Sequence, residues 1–421
     1  MTRTMTTRSS RAWWSGRGNS SRLPVRTCRW TRRGKDSKSC CARSRRPPPA
    51  LRECFLMTEA SSPPAYIIVD EGSLTLKVAA LSVLDRLLVA FHRAGIRDIT
   101  VVFRGPLPPL PRSRSWGIPF KVAPDWKPDG SNVLWSRSNV LVQDADVREL
   151  LARGGRLVTR DGAFLPIAAG RPAGLEWESQ GLVDLPAVVT QGVSGLIQDA
   201  DSAARAGQAL WASLTSRSDG WVDRVFNRPC GRYLSKVLIH TSVSPNAVSL
   251  ASIGIGLAAA WLFSLGAYPA LVWGAILFQF SAIVDCVDGD IARVLFKESA
   301  LGKWLDLAGD QVVHVGVFAG IAWGMAKAPG ESPALGLGAA AILGALISFG
   351  VVLRGMRQPE ASKDGRLRNL IDGATNRDFS VVVLVLALVN RLEWFLWMAA
   401  VGSHVFWLAA LSLQRRTRAR E

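Results

Sequence analysis

The chain has 421 residues, of which 48% are hydrophobic, and a formal net charge of +18 at pH 7. This length allows two domains, and the hydrophobic share favours a membrane protein. Of six cysteines, four lie in the first 54 residues. They show no CxxC pair with zinc spacing, and they argue against a disulfide framework.

Residues 1–60 are predicted to be a basic, disordered tail or an upstream extension of a chain that starts at Met57. The first 56 residues contain 15 Lys and Arg but only two acids, Asp36 and Glu53, so most of the net charge belongs to this tail. The tail has no helical or strand periodicity and no apolar stretch long enough for a signal peptide. One functional interpretation is an arm for anionic lipid or nucleic acid, although we expect no nucleic-acid partner for the chain as a whole.

Residues 61–210 have the pattern of an α/β domain. The strand-like runs AYIIVD and DITVVF flank a stretch with helical periodicity at 76–94, and a further run, NVLVQDADV, precedes another helical pattern. Strands that alternate with helices in this way predict a doubly wound, Rossmann-like domain. A polar linker and juxtamembrane helix follow at 211–245.

From residue 246 to residue 416 the sequence predicts a bundle of six transmembrane helices. The apolar runs are rich in Gly and Ala, and most approach the length needed to cross a bilayer. They cover 248–265, 269–284, 307–325, 333–352, 379–389 and 394–413. The fifth run is too short alone, so we expect its helix to extend through Arg377 and Asp378 into a polar cavity.

The loop charges predict the orientation of these helices. Most Lys and Arg lie before the first span, between spans two and three, between spans four and five, and after span six, whereas the opposite loops contain only Lys327 and Arg391. The positive-inside rule therefore places both termini, the α/β domain and the acidic site described below on the cytoplasmic side of the inner membrane.

Four aspartates at the end of span two and the start of span three are the strongest functional signal. Asp285 and Asp288 are three residues apart, and Asp306 and Asp310 are four apart, so each pair shares one helix face. A short turn between the helices would bring the four carboxylates together near the membrane surface. Such a cluster is costly without counter-charge, and oxygen ligands suit Mg²⁺ or Mn²⁺, so we expect two ions here. Solvated helix-end acids are the alternative.

These residues resemble the signature of the CDP-alcohol phosphotransferases. The spacing D-x2-D-G-x2-A-R-x8-G-x3-D-x3-D is matched at eight positions, which are Asp285, Asp288, Gly289, Ala292, Arg293, Gly302, Asp306 and Asp310. The segment SVSPNAVS before span one is similar to the family's Pro-Asn-x-x-Thr segment, with Ser249 in place of Thr.

The resemblance implies a transferase that moves a substituted phosphate group from a CDP-alcohol to an acceptor alcohol and releases CMP, as in phospholipid biosynthesis. It implies that the four aspartates ligate metal and that Asp310 is also the catalytic base. The residues that it implies for binding the CDP-alcohol are Asn246, Gly289, Ala292, Arg293, Ser299 and Gly302. It also implies a homodimer in the lipid bilayer.

The linker and the segment NRDFS resemble fused proteins such as bifunctional inositol-phosphate cytidylyltransferase and di-myo-inositol phosphate phosphate synthase. In that arrangement the first domain makes the CDP-alcohol that the second consumes, and Arg354, Arg357 and Arg377 become candidates for binding a phosphate on the acceptor. The loop EGSLTLK after the first predicted strand lacks the paired glycines and the basic residue of an active nucleotidyltransferase. The α/β domain is therefore expected to be degenerate, although Asp144 and Asp146 stand where that family has a metal-binding acid.

Three interpretations remain open alongside the transferase. A transporter would also have intramembrane acids, but spread along several spans. A prenyl-diphosphate enzyme would use metal-bound aspartates without the glycine and arginine spacing, and a silent scaffold would need none of them. A bifunctional enzyme that makes its own CDP-alcohol from CTP is an extension of the main hypothesis. The sequence leaves the donor and acceptor alcohols open.

Overall fold

The computed structural model describes residues 62–127, 129–171, 185–215, 220–327, 333–356 and 379–418. Within these ranges, an α/β region is followed by a helical region. The strands are β1 (Ala65–Ile68), β2 (Lys77–Val78), β3 (Leu81–Ser82), β4 (Ile99–Val102), β5 (Lys121–Ala123), β6 (Val133–Arg137), β7 (Val140–Leu141), β8 (Gly155–Val158), β9 (Phe164–Gly170), β10 (Ala187–Val189) and β11 (Gly195–Leu196). The α/β prediction for this part of the chain is confirmed.

The helices of the α/β region have at most 14 residues, and most of those from α6 onward have more than 20. They are α1 (Val83–Arg93), α2 (Pro111–Ser115), α3 (Asp144–Arg153), α4 (Ala200–Ser213), α5 (Arg228–Leu238), α6 (Pro245–Leu265), α7 (Tyr268–Val294), α8 (Ala300–Ala326), α9 (Ala334–Met356), α10 (Phe379–Leu388) and α11 (Leu392–Arg418).

Seven strands form one sheet in the order β10-β8-β9-β6-β1-β4-β5. Strand β1 runs parallel to β4 and β6, and β5 and β10 are parallel to their neighbours, but β9 is antiparallel to both β6 and β8. The sheet is therefore mixed. The reason is that the turn at residues 159–163 is too short for a crossover, so β8 and β9 pair as a hairpin.

Apolar side chains of α1 cover one face of this sheet. Leu84, Leu88 and Phe91 are buried against Ile67 of β1 and Val101 of β4 in a single cluster. The helix begins at Ser82, whose hydroxyl accepts a hydrogen bond from the backbone N–H of Asp85, which satisfies one of the free amides of the first turn.

Among the described residues, five helices are long and apolar enough to cross a membrane, namely α6, α7, α8, α9 and α11. The fifth predicted span corresponds to α10, which has ten residues. Its predicted extension through Arg377 and Asp378 lies outside the described residues. Close approach of α6 and α8 depends on glycine, because a Cβ added to Gly320 would lie 2.2 Å from the Ala260 carbonyl oxygen.

The acid-bearing helices extend well beyond their apolar runs. The second predicted span ends at residue 284, but α7 continues to Val294, and α8 begins at Ala300, ahead of the apolar run at 307. Ser299 starts α8 as its N-cap, with its hydroxyl accepting from the Gly302 amide at 2.9 Å. Both pairs of aspartates are consequently on regular helix, where their spacing fixes a common face.

Candidate active site

Three of the four predicted aspartates meet between α7 and α8. Each of Asp285, Asp288 and Asp306 offers a carboxylate oxygen, and these three oxygens lie within 4.8 Å of one another. The first two are 8% and 7% exposed, whereas Asp306 is half-buried. Three carboxylates this close repel one another strongly unless a cation lies between them. An all-oxygen donor set of this kind fits Mg²⁺ or Mn²⁺.

Asp310 lies one helical turn after Asp306 and lines a small neighbouring cavity of about 30 Å³. Asp285 lines the same cavity. This residue therefore belongs both to the group formed by the carboxylate oxygens of Asp285, Asp288 and Asp306, called the three-oxygen group below, and to the wall of the cavity. His314 and Phe379 form another part of the wall, with 5.0 Å between the centroids of their rings. Asp310 therefore shares this cavity with Asp285 and is not one of the three acids whose oxygens form the group.

Two serines of α6 support the acids of α7. The Ser249 hydroxyl is hydrogen-bonded to the Asp288 carboxylate, and the Ser252 hydroxyl lies 3.4 Å from Oδ1 of Asp285. The sequence analysis noted Ser249 only as a replacement for threonine and missed Ser252. Their spacing of three residues on a helix that precedes the acids was the available signal, since it places both hydroxyls on one face.

The predicted CDP-alcohol ligands form two groups. A Cβ added to Gly302 would lie 3.0 Å from Oδ1 of Asn246 and 3.1 Å from Oγ of Ser299, so these three residues adjoin at the start of α8. On α7, a Cβ added to Gly289 would lie 3.2 Å from Nη2 of Arg293.

Ala292, the remaining predicted ligand of the CDP-alcohol, is half-buried near the end of α7. Its carbonyl oxygen accepts a hydrogen bond from the Lys297 amide at 2.8 Å, which closes the last turn of the helix.

Asp290 is a buried acid that the sequence analysis did not single out. It is 0% exposed, and its Oδ1 accepts from Nη1 of Arg228 at 3.1 Å and from Nη2 of Arg293 at 3.2 Å. Arg228 belongs to α5, so this carboxylate ties the juxtamembrane helix to the motif arginine. The signal in the sequence was its position two residues after Asp288, which places it on the opposite side of the helix from the paired acids.

The acceptor-site candidates are only partly described. Arg354 is exposed near the end of α9, and Arg357 and Arg377 lie outside the described residues.

The two acids proposed for the α/β region have structural partners. Asp144 forms an ion pair with Arg148 one turn later in α3. Asp146 is 1% exposed, and its carboxylate accepts from the backbone amides of Gln191 and Gly192, at 2.6 Å for the Gln191 amide. Asp146 therefore fastens the loop after β10 to α3.

Comparison with known proteins identifies the helical region. Residues 242–412 match the model of the CDP-alcohol phosphatidyltransferase family. This match contains all eight motif positions, and the resemblance predicted from them is confirmed.

Curated proteins are similar to parts of this chain. The bifunctional IPC transferase and DIPP synthase of Archaeoglobus fulgidus is 28% identical over 221 residues, which are 50% of this chain and 40% of that protein. The phosphatidylinositol phosphate synthase of Mycolicibacterium smegmatis is 33% identical over 94 residues, which are 22% of this chain and 40% of that protein. The chain spans less than half the length of the curated relatives it matches.

A solved structure is similar at lower identity. The crystal structure of Mycobacterium tuberculosis phosphatidylinositol phosphate synthase in complex with manganese and citrate is 19% identical. The alignment covers 43% of this chain and 87% of that chain, with a TM-score of 0.32.

Proposed function

We propose that this chain, whose residues 242–412 form a CDP-alcohol phosphatidyltransferase domain, is a membrane enzyme that moves a substituted phosphate group from a CDP-alcohol to an acceptor alcohol and releases CMP. The observation that carries the proposal is the group of Asp285, Asp288 and Asp306, whose oxygens approach within 4.8 Å on two adjacent helices of this domain. Such a group is costly to place in a packed helix pair unless a cation offsets its charge.

These three aspartates, together with Asp310, would hold two Mg²⁺ or Mn²⁺ ions. When bound, the ions would neutralise the carboxylates and draw charge from the pyrophosphate of the donor. Ser249 and Ser252 orient Asp288 and Asp285, and oriented ligands of this kind bind metal more tightly.

The remaining residues bind the donor and move a proton. Gly289 leaves room for the pyrophosphate against α7, and the Arg293 guanidinium neutralises its charge, while Asn246, Ser299 and Gly302 contact the CDP moiety at the start of α8. Asp310 takes the proton from the acceptor hydroxyl. The alkoxide oxygen then attacks the phosphorus that bears the donor alcohol, a new P–O bond forms, and the P–O bond to CMP breaks.

The acceptor is proposed to be an inositol-type polyol phosphate. The relatives include proteins named phosphatidylinositol phosphate synthase and bifunctional IPC transferase and DIPP synthase. Arg354, Arg357 and Arg377 would bind the phosphate of such an acceptor. The product would be a phospholipid or an inositol-type phosphodiester, according to the donor.

The proposed setting is the cytoplasmic membrane. The domain would have six spans, of which α10 is the fifth in chain order, both termini and the active site would face the cytoplasm, and the chain would act as a homodimer. We place the domain boundaries at 61–210, 211–245 and 246–416, after a basic tail at 1–60. The topology is tested by introducing a cysteine at position 415 and labelling it from each side of sealed vesicles. Labelling from the outer face of the membrane would contradict the proposed orientation.

A second activity, formation of the CDP-alcohol from CTP, is the alternative that the domain order favours. Against it, Asp146 is occupied by backbone amides of the loop after β10, and Asp144 is paired with Arg148. Incubation with CTP and an alcohol phosphate decides the point, since pyrophosphate release would establish the second activity.

The deciding experiment is a product assay with the full chain. Purified protein is incubated with Mg²⁺, a panel of CDP-alcohols and inositol-type or other acceptors, and the product is identified by mass. We expect CMP release that requires both the acceptor and the metal. Ion flux in proteoliposomes that is independent of any CDP-alcohol, with no CMP released, would instead support the transporter hypothesis.

A further inference from the structure

The turn between α7 and α8 has a conformation that its own sequence disfavours. Phe296 lies in this turn, eight residues after Asp288 and ten before Asp306. Its φ is +53°, in the left-handed region that side chains other than glycine rarely adopt. A bulky residue remains there only when its surroundings over-determine the backbone. The residues that surround Phe296 therefore indicate what holds the turn in this conformation.

The α/β region supplies those surroundings. The guanidinium carbon of Arg93, on α1, lies 4.8 Å from the centroid of the Phe296 ring and 4.8 Å from that of Trp116, and Arg86 lies 5.5 Å from the Phe296 centroid. The Trp116 indole N–H donates to the Phe296 carbonyl oxygen at 3.2 Å. Arg93 also forms an ion pair with Glu298, two residues further along the turn.

Arg86 is itself held in place by backbone hydrogen bonds. Arg86 is 3% exposed and donates from Nε to the Val78 carbonyl oxygen at 2.7 Å and from Nη2 to the Ala79 carbonyl oxygen at 3.0 Å. Burial lowers the pKa of Arg86 to about 10, with Asp85 opposing that shift, so the guanidinium remains charged at neutral pH. A buried charge with fixed donors cannot move away from the ring without losing these bonds.

The β2–β3 hairpin, whose backbone accepts from Arg86, packs on α7, the helix that carries Asp285 and Asp288. Leu81, which follows the hairpin turn, shares a buried cluster with Val287 and Ile291 of α7 and with Leu295 at the start of the α7–α8 turn. This hairpin belongs to the segment after β1 where a nucleotide-binding loop was considered from the sequence. In this chain the segment makes a docking surface for the transferase domain.

We propose that the α/β domain is a positioning clamp for the metal site, in which Arg86, Arg93 and Trp116 hold Phe296 and thereby fix the turn that sets Asp288 against Asp306. A ligand set displaced by one ångström binds metal and substrate poorly. The clamp is built from residues of α1, the β2–β3 hairpin and the segment after α2, and it needs no nucleotide. The clamp proposal rests on the proposed function only for the expected effect on turnover, because Mn²⁺ affinity is measured separately.

The test compares Arg93→Gln, Arg93→Lys and Phe296→Leu in the full chain. Mn²⁺ affinity is measured by electron paramagnetic resonance of the free ion, alongside thermal unfolding and hydrogen exchange of the amides at 295–299 without metal. We expect Arg93→Gln and Phe296→Leu to weaken Mn²⁺ binding about tenfold or more, to speed exchange in the turn and to lower kcat. Arg93→Lys, which keeps the charge over both rings, should recover most of the affinity.

The matched control is Arg97→Gln, which removes the same charge from an exposed residue just after α1, whose guanidinium contacts His92. It should leave Mn²⁺ affinity and turn exchange unchanged. The clamp is refuted if Arg93→Gln and Phe296→Leu bind Mn²⁺ like the wild type, even if they unfold at a lower temperature, since that result assigns the contacts to stability alone. A wild type that binds Mn²⁺ but releases no CMP refutes the proposed function and leaves the clamp test intact.

Discussion

Ser249 of α6 and Asp288 of α7 are joined by a hydrogen bond between hydroxyl and carboxylate, buried between the two helices. The bond orients Asp288, which is one of the three acids of the three-oxygen group. It also makes α6, which carries no acid of its own, part of the site. Sequence position alone does not reveal this, because 39 residues separate the two partners.

Replacing Ser249 tests how much that orientation contributes. Ser249→Ala should weaken Mn²⁺ binding about 10- to 100-fold, as expected when a residue that orients a metal ligand is removed. Ser249→Thr should retain most of the affinity because it keeps the hydroxyl. Titration with Mn²⁺ measures both, and Ser264→Ala, which removes an exposed hydroxyl from the same helix, is the control. Equal affinity in the alanine and threonine variants would contradict the assigned role.

Asp306→Asn should separate metal binding from fold stability. Removing one of three clustered carboxylates relieves repulsion, so the metal-free variant should unfold at a temperature no lower than that of the wild type. In the wild type, Mg²⁺ at 100 times its Kd should stabilise the fold by about 2.7 kcal/mol, and chelation should reverse this. The variant should lose that increment. Thermal unfolding with Mg²⁺ or with chelator gives the result, and a retained metal shift would exclude Asp306 as a ligand.

Asp310→Asn should keep more of the metal-induced stabilisation than Asp306→Asn does and should abolish turnover. The reason is that Asp310 faces the small cavity beside the three-oxygen group, where it is proposed to take the acceptor's proton. General-base catalysis typically contributes 10² to 10⁴-fold, so a loss of about 10³-fold in kcat is expected. CMP release at saturating donor measures it. Turnover within tenfold of the wild type would remove Asp310 as the base.

Asp290→Asn should destabilise the protein by about 3 kcal/mol or more. The carboxylate is 0% exposed and Arg228 is 11% exposed, so the substitution leaves a mostly buried guanidinium with less counter-charge. It should also raise the KM for the CDP-alcohol, because Arg293 loses the oxygen that positions it. Denaturant unfolding gives the first quantity and initial rates the second. Asp144→Asn is the control, since its partner Arg148 is exposed and the pair contributes at most about 1 kcal/mol.

Gly320→Ala should destabilise the helical region by about 1 to 3 kcal/mol, because the new methyl group would overlap the Ala260 carbonyl oxygen and force α6 and α8 apart. Gly254→Ala on α6 is the matched control. A Cβ there meets nothing within 4 Å among the described residues, so the higher helix propensity of alanine should leave stability unchanged or slightly improved. Thermal unfolding in detergent compares the two. Equal effects would show that the α6–α8 contact does not depend on glycine.

The sequence was most informative where the deciding interactions are local. The spacing of Asp285 and Asp288 on one helix and of Asp306 and Asp310 on the next follows from helical periodicity alone. The apolar runs are likewise evident from the sequence alone. The helices extend beyond these runs because polar residues can continue a helix at the end of a span. The antiparallel β9 shows the limit, since strand alternation does not specify which strand becomes the neighbour.

What the sequence by itself determined, therefore, is the chemistry and the class of fold: an α/β region, long apolar helices, and four acids in a spacing that identifies the family of the helical region. The tertiary structure alone decided that Ser249 and Ser252 support the acids, that Asp290 joins two arginines, and that Phe296 is enclosed by Arg86, Arg93 and Trp116. The physical reason is that most of these contacts join residues far apart in the sequence, some by more than 200 positions. Their energy depends on how deeply the groups are buried and on the direction of the hydrogen bonds. Both quantities exist only after the helices and the sheet have packed.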